Sequence, residues 1–513
     1  MSRWWRAWIG GSICAALGAA PGLDRGGGVA LAQTGARRLV EGGEVPYVLS
    51  ILPDGRPILG GGHQLLIPSK AGREPIDAAN RPARLHPELE GPRLVLNPEI
   101  RAGATDTPIF TSNWWPQSTN GTADRWNSRN KDYADFASDP ENLAPTEKYD
   151  LLFHPGQPQR LPGVRSWTSA ELETPEARRG APRVQPTITV AGPATAWELQ
   201  HHGLYQQVYP EPWFGHCNGW AAYATAEPDG APRRDVRVRL TGSAVAECDA
   251  PAPGCVLFRM ADIEGLMTEL YFSDSSTMAG RRCNIEPDQI RRDRYGRPVN
   301  PECRDLNPGT LHVALTGLLG TGATPLTEGA VGARRLPFLV DHSWAHEVWS
   351  FPIASFAINE IEEVNRSQAT QLVCAGQLGA ILCRSYPWNR GATRFARVRA
   401  SYSLARFIGS GPALLTPPER RSAPLDEEPL HYVLEMDGAG RILGGEWIRD
   451  PDARLRANGK EPHPDFLWIS VRPQGAGEDR DDLGGRGDNP FIAYSNVKAL
   501  LALSRTPARG AGP

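Results

Sequence analysis

The sequence predicts an α+β fold in which a helix carrying a cysteine packs on an antiparallel sheet carrying a histidine and an aspartate. Three observations predict it. Cys217 opens a run of mostly good helix formers, through Ala221-Ala222-Tyr223-Ala224-Thr225-Ala226, that stops before Pro228. The segment from Asn307 to Thr316 alternates, with Leu311, Val313 and Leu315 on one face and Thr310, His312 and Thr316 on the other, as a half-buried strand does. Leu336-Pro337-Phe338-Leu339-Val340-Asp341 reads as an apolar strand that ends in a carboxylate.

The rest of the chain falls into place around these elements. Residues 1–32 read as a signal peptide: Arg3 and Arg6 precede a moderately apolar stretch, and Ala30-Leu31-Ala32 is an A-x-A cleavage pattern. That stretch is too short to span a bilayer, so a secreted or periplasmic protein, off the membrane once the signal is cleaved, is expected. Residues 33–105 are rich in Pro and Gly, with short alternating pieces near Tyr47 and His63, and suit an accessory β-element or a pro-segment. Residues 106–505 form the catalytic unit and 506–513 a tail. Ile263, Leu266, Met267 and Leu270 follow i, i+3, i+4, i+7, a helix with one face in the core. Asp437-Gly438-Ala439-Gly440 between two apolar runs is a hairpin signal. Lys+Arg of 55 against Asp+Glu of 58 leaves a net charge of −3, with no basic field for nucleic acid or an anionic membrane.

Eight cysteines are present, and Cys14 leaves with the signal. In an oxidising compartment the remaining odd number divides into three disulfides and one thiol. Close neighbours suggest the pairs Cys248/Cys255, Cys283/Cys303 and Cys374/Cys383, which leaves Cys217 unpaired.

Cys217 lies in Gly215-His216-Cys217-Asn218-Gly219-Trp220, at a helix N-terminus, where the dipole and free amides favour a thiolate and can receive an oxyanion. A thiolate nucleophile needs a base, and the base needs an orienting group. His312 and then Asp341 supply these in the chain order found in papain-like proteases and transglutaminases, giving the expectation of a papain/transglutaminase-like cysteine acyltransferase core. His342 and His346 compete as the base. Their spacing of four would suit a helical metal pair, but the neighbouring Val348, Trp349 and Phe351 read as strand and no further ligands cluster there, so neither metal nor cofactor is expected. Trp213 and Trp344 are the expected substrate-contacting aromatics. His216 reads as a pocket wall, and Trp447 and Trp468 as core packing.

From Trp114 to Leu503 the chain resembles the transglutaminase elicitor family, the secreted oomycete cell-wall transglutaminases and their bacterial relatives. The resemblance rests on Trp114-Trp115-Pro116, Pro145-Thr146-Glu147-Lys148-Tyr149-Asp150, the Gly-His-Cys-Asn-Gly-Trp around Cys217, Gly265 to Tyr271, Cys303 to Gly309, Val348-Trp349, Gly444-Gly445-Glu446-Trp447 and His463 to Trp468. It implies a protein-glutamine γ-glutamyltransferase that uses Cys217, His312 and Asp341, with a glutamine-containing protein or peptide as acyl donor and a primary amine as acceptor. An amidase or protease with the same triad, or a surface recognition protein without turnover, are the rivals. The family's Val-Trp-Asn-Gln-Pro epitope is replaced here by Val348-Trp349-Ser350-Phe351-Pro352, so immune recognition in plants is not implied.

Overall fold

A computed structural model describes residues 47–51, 57–60 and, with interruptions, 76–507; the signal region and the stretches 162–187, 342–346, 375–385, 449–462 and 471–488 are among those outside it. Its centre is an eight-stranded antiparallel sheet. Seven strands follow in spatial order as Ile442–Trp447, Leu425–Met436, Arg394–Ala405, Ser350–Val364, Leu339–Asp341, Phe466–Ser470 and Ser276–Gly280, and Ala102–Ala104 adds to Ser350–Val364. The expected hairpin at Asp437–Gly440 joins the first two, with Asp437 Oδ1 accepting from the amides of Ala439 and Arg441. Leu339–Asp341 is short but interior: Asp341 pairs with Ser350 on one side and Phe466 on the other. Hydrogen bonding on both edges fixes its backbone on a rigid platform.

The helix Cys217–Ala226 forms where the sequence predicts it and packs on this sheet, with Trp220 and Tyr223 fully buried. Behind it runs the helix Met260–Leu270. A Cβ on Gly219 would stand 2.3 Å from the Thr268 carbonyl oxygen, so only glycine permits this helix–helix distance. The Met260–Leu270 helix departs from the one-faced expectation, because every residue in it is buried. Its polar face is covered by ion pairs: Asp262 with Lys148 at 2.5 Å and Glu264 with Arg421 at 2.5 Å. Buried charge is tolerated there because both carboxylates are paired with cations, and Asp262 is further hydrogen-bonded by Trp126 Nε1 and the Arg259 amide.

Two further sequence expectations change. The segment carrying His312 is a helix, Pro308–Ala314, not a strand. Asn307 caps it, accepting from the Gly309 amide at 2.9 Å, and Pro308 occupies the first turn, where a missing N–H costs nothing. All seven helical residues are buried, which removes the polar face that periodicity relies on. A division near residue 105 is likewise not where the core ends. Leu85, Leu89, Leu94 and Ile100 belong to the main core, and Asn80 Oδ1 accepts from the Asn307 amide. Asn80 and Leu94 lie in short 3₁₀ turns and the others in the loops between and after them, so their composition resembles a loop-rich prelude while their side chains pack inside.

Disulfides join Cys248 to Cys255 and Cys283 to Cys303, and Cys217 is buried and takes part in no disulfide. Cys374 is disulfide-bonded, and Cys383 lies outside the described residues. No helix among the described residues is long and apolar enough to cross a membrane.

Candidate active site

Cys217 is the first residue of its helix, and no side chain caps that helix. A helix start of this kind presents backbone N–H groups of the sort that receive an anion. The thiol is fully buried, and its Sγ lies 3.9 Å from the Val348 carbonyl oxygen. One residue further, the Trp349 amide donates to Asp341 Oδ1 at 2.7 Å. The structure thus brings Cys217 and Asp341 together around the start of the Ser350–Val364 strand.

Asp341 is completely buried, and its Oδ2 has no hydrogen-bond partner among the described residues. Burial, with the negative charges of Asp465 and Cys217 nearby, pushes its carboxyl well above the ordinary range. Arg282 and the Trp349 amide pull the other way. The guanidinium of Arg282 lies 6.0 Å from the Trp213 ring centroid, and Trp213 is itself buried against Phe214. Trp213 therefore stands beside the cation that acts on Asp341. Trp344, His342 and His346 belong to the stretch 342–346, outside the described residues.

His312 stands on the helix Pro308–Ala314, against the Leu425–Met436 strand. Its Nδ1 lies 2.9 Å from the Tyr432 hydroxyl. Burial alone lowers it to about 4, and no charged group contributes. Burial thus favours a neutral imidazole, held between its own helix and the Leu425–Met436 strand. The sheet carries the aspartate, as expected, but not this histidine.

An aromatic stack surrounds the cysteine helix. Trp114 meets Trp349 edge-on at 5.1 Å, and Trp349 stacks on Phe407 at 5.2 Å. Gly215 lets Trp114 close against the chain just before Cys217, since a Cβ there would stand 2.4 Å from that ring. Trp468, buried with Nε1 on Ser350 Oγ, and Trp447, with Nε1 on the Leu306 carbonyl, pack as the sequence suggests.

Sequence reasoning missed a second group beside the thiol. Glu198, His202, His216 and Glu269 are all buried, and each offers a ligand atom within 4.8 Å of the others. Burial alone would lower His202, but its hydrogen bonds and charge contacts with Glu198 and Glu269 outweigh that and push it up to about 10. The same histidines hold Glu269 below its ordinary value although burial opposes them. The one local signal was Glu198 and His202 at i, i+4; the other two members come from distant segments.

The family described as Transglutaminase elicitor matches residues 203–506, more than half of the chain. Among solved structures, the GP42 transglutaminase from Phytophthora sojae matches with a TM-score of 0.51 at 16% identity, over 84% of this chain and 98% of its own. At that identity the likeness speaks to the fold alone. No curated protein sequence matches the chain.

Proposed function

Because the chain belongs to the transglutaminase elicitor family, we propose that it is an exported protein-glutamine γ-glutamyltransferase with Cys217 as nucleophile and Asp341 as the group that orients its base. The Cys217 thiolate attacks the carboxamide carbon of a glutamine side chain, and the first-turn amides hold the oxyanion. The C–N bond breaks, and ammonia leaves with a proton from the base. A primary amine then attacks the thioester, gives its proton back to the base and restores the thiolate. The observation that carries this reading is the juxtaposition of the start of the cysteine helix with a buried carboxylate whose Oδ2 has no donor among the described residues. Cys217, Asp341 and Asp465 are three groups able to carry negative charge, against the described cation Arg282. An imidazolium between thiolate and carboxylate balances them. We assign that base to His342 or His346, which the chain itself tethers between Asp341 and Val348, and not to His312.

The test is incorporation of a labelled primary amine into a glutamine-rich protein, run beside a casein-cleavage assay. Cys217→Ala abolishes incorporation, and one of His342→Ala and His346→Ala lowers it by about 10²–10⁴-fold. The aromatic surround of Trp114, Trp349 and Phe407 limits water and favours the amine as acceptor. Cleavage without incorporation makes the protein a hydrolase. Failure of iodoacetamide to alkylate Cys217 at neutral pH makes it a recognition protein without turnover.

A further inference from the structure

We propose that Glu198, His202, His216 and Glu269 form a closed binding site for one divalent transition-metal ion, zinc by preference, next to the cysteine helix. Measured to the nearer oxygen of each carboxylate, His216 Nε2 lies 3.3 Å from His202 Nδ1, 3.2 Å from Glu269 and 3.5 Å from Glu198. His202 Nδ1 lies 3.1 Å from Glu198 and 3.8 Å from Glu269. Bonds of about 2.0–2.1 Å to nitrogen and oxygen ligands define a tetrahedron with edges of about 3.3–3.4 Å. Five of the six donor pairs approach that figure, the two histidines meeting different oxygens of each carboxylate, and one donor atom from each residue lies within 4.8 Å of the others, so a small rotation of the carboxylates closes the set.

Independent features point the same way. His216 Nδ1 faces the Trp115 carbonyl oxygen at 3.2 Å, an arrangement that puts the proton on Nδ1 and leaves the Nε2 lone pair aimed into the quartet. Both carboxylates are oriented from outside: Glu198 Oε1 accepts from the Thr122 amide at 2.8 Å and Glu269 Oε2 from the Thr122 hydroxyl at 3.3 Å. Glu269 Oε1, 3.8 Å from His202 Nδ1, is buried with no partner at hydrogen-bond distance among the described residues. Gly121, at φ +57°, leaves the space open, since a Cβ there would stand 1.9 Å from Glu198 Oε1 and 2.9 Å from the His216 ring. Phe272 closes the chamber against both imidazoles, 4.7 Å from His202 and 4.6 Å from His216 between ring centroids.

The charge count fits as well. A divalent cation with two carboxylates and two neutral imidazoles is neutral overall, which a fully buried chamber requires. Two imidazole nitrogens facing each other at 3.3 Å have room for at most one proton on the line between them. An ion held by both lone pairs removes that conflict. Four protein ligands leave no open position, so the site is structural: it pins His216, and with it the first residue of the cysteine helix, to Glu269 on the neighbouring helix.

The test uses untagged protein carrying Cys217→Ser, so that the thiol cannot act as a ligand, stripped with a chelator and reloaded with Zn²⁺ or Co²⁺. One zinc per chain should survive gel filtration, and the cobalt form should show the intense visible bands of a tetrahedral ion. Glu269→Gln and His202→Gln should each weaken zinc binding by at least the roughly tenfold that outer-shell changes cost. Substoichiometric zinc in the unsubstituted quartet, or a pale octahedral cobalt spectrum, overturns the proposal and leaves a histidine–carboxylate network. Both readouts come from the intact quartet, so a variant that fails to fold does not shield the idea. Neither depends on whether Cys217 turns over.

Discussion

His312→Gln separates the packing role of this residue from a catalytic one. In the unfolded chain its imidazole titrates near 6.5, and burial in the fold lowers it to about 4. A base whose folded value is depressed stabilises the fold fully above the unfolded value and loses that contribution as pH falls towards the folded one. The window is therefore between about pH 6.5 and pH 4. Over about 2.5 pH units at 1.36 kcal/mol each, the limiting loss is about 3.4 kcal/mol, of which about 2 kcal/mol has gone by pH 5. Urea unfolding of the parent and of His312→Gln at pH 7.5 and pH 5 measures it. The parent should lose about 2 kcal/mol more than the variant between the two conditions, and any fixed cost of the substitution cancels in that difference. Iodoacetamide alkylation of Cys217 at neutral pH should be unchanged within about threefold, where removal of a general base costs about 10²-fold or more in rate. Parallel stability losses would refute the linkage, and collapse of alkylation in a folded variant would return His312 to the active site.

Two further outcomes follow from the scaffold. Lys148→Met leaves Asp262 buried without its 2.5 Å partner and should cost about 3–5 kcal/mol in urea unfolding, whereas substitution of the exposed pair Arg394/Glu363 should leave the urea midpoint unchanged. The bond between Cys283 and Cys303 closes a loop of sequence separation 20, so the double Cys→Ser variant should lose about 3 kcal/mol, against about 2.5 kcal/mol for Cys248/Cys255, whose separation is 7.

The cysteine helix, the Asp341 strand, the hairpin and two disulfides were legible in the sequence because each rests on local information: a run of helix formers, an apolar strand, a turn tetrapeptide, close cysteines. His312 was misread for a physical reason. Complete burial erased the polar face of its helix, and the remaining alternation mimicked a strand, while the decisive Asn307-Pro308 cap occupies two residues. The Met260–Leu270 helix misled in the opposite sense. Its charged residues suggested a solvated face, but Lys148, Arg421 and the two histidines that neutralise them lie far away in the chain. Pairing of charges across long sequence distances has no local signature, which is also why the quartet went unseen.

The Pro145–Asp150 block shows that a resemblance between sequences can mark scaffold as readily as chemistry. Glu147 holds Arg125 in a buried bidentate pair, Lys148 neutralises Asp262, and Asp150 caps the Pro193–His201 helix through the amides of Ala194 and Thr195. The departure at Ser350-Phe351 follows, by contrast, just after Val348, whose carbonyl oxygen lies 3.9 Å from the thiol. Phe351 stacks on Phe407, which stacks on Trp349, and Arg406 lies 4.2 Å over the Phe351 ring. A glutamine at this position has no aromatic face to join that stack, and its buried amide would require partners of its own. Ser350 pairs with Asp341 across the sheet and accepts from Trp468 Nε1, so it too is committed to the protein interior. The two side chains at which this chain departs from the family pattern therefore build the wall behind Trp349 and do not reach outward, and differences in what the site accepts must arise from the residues around the thiol that face away from this wall.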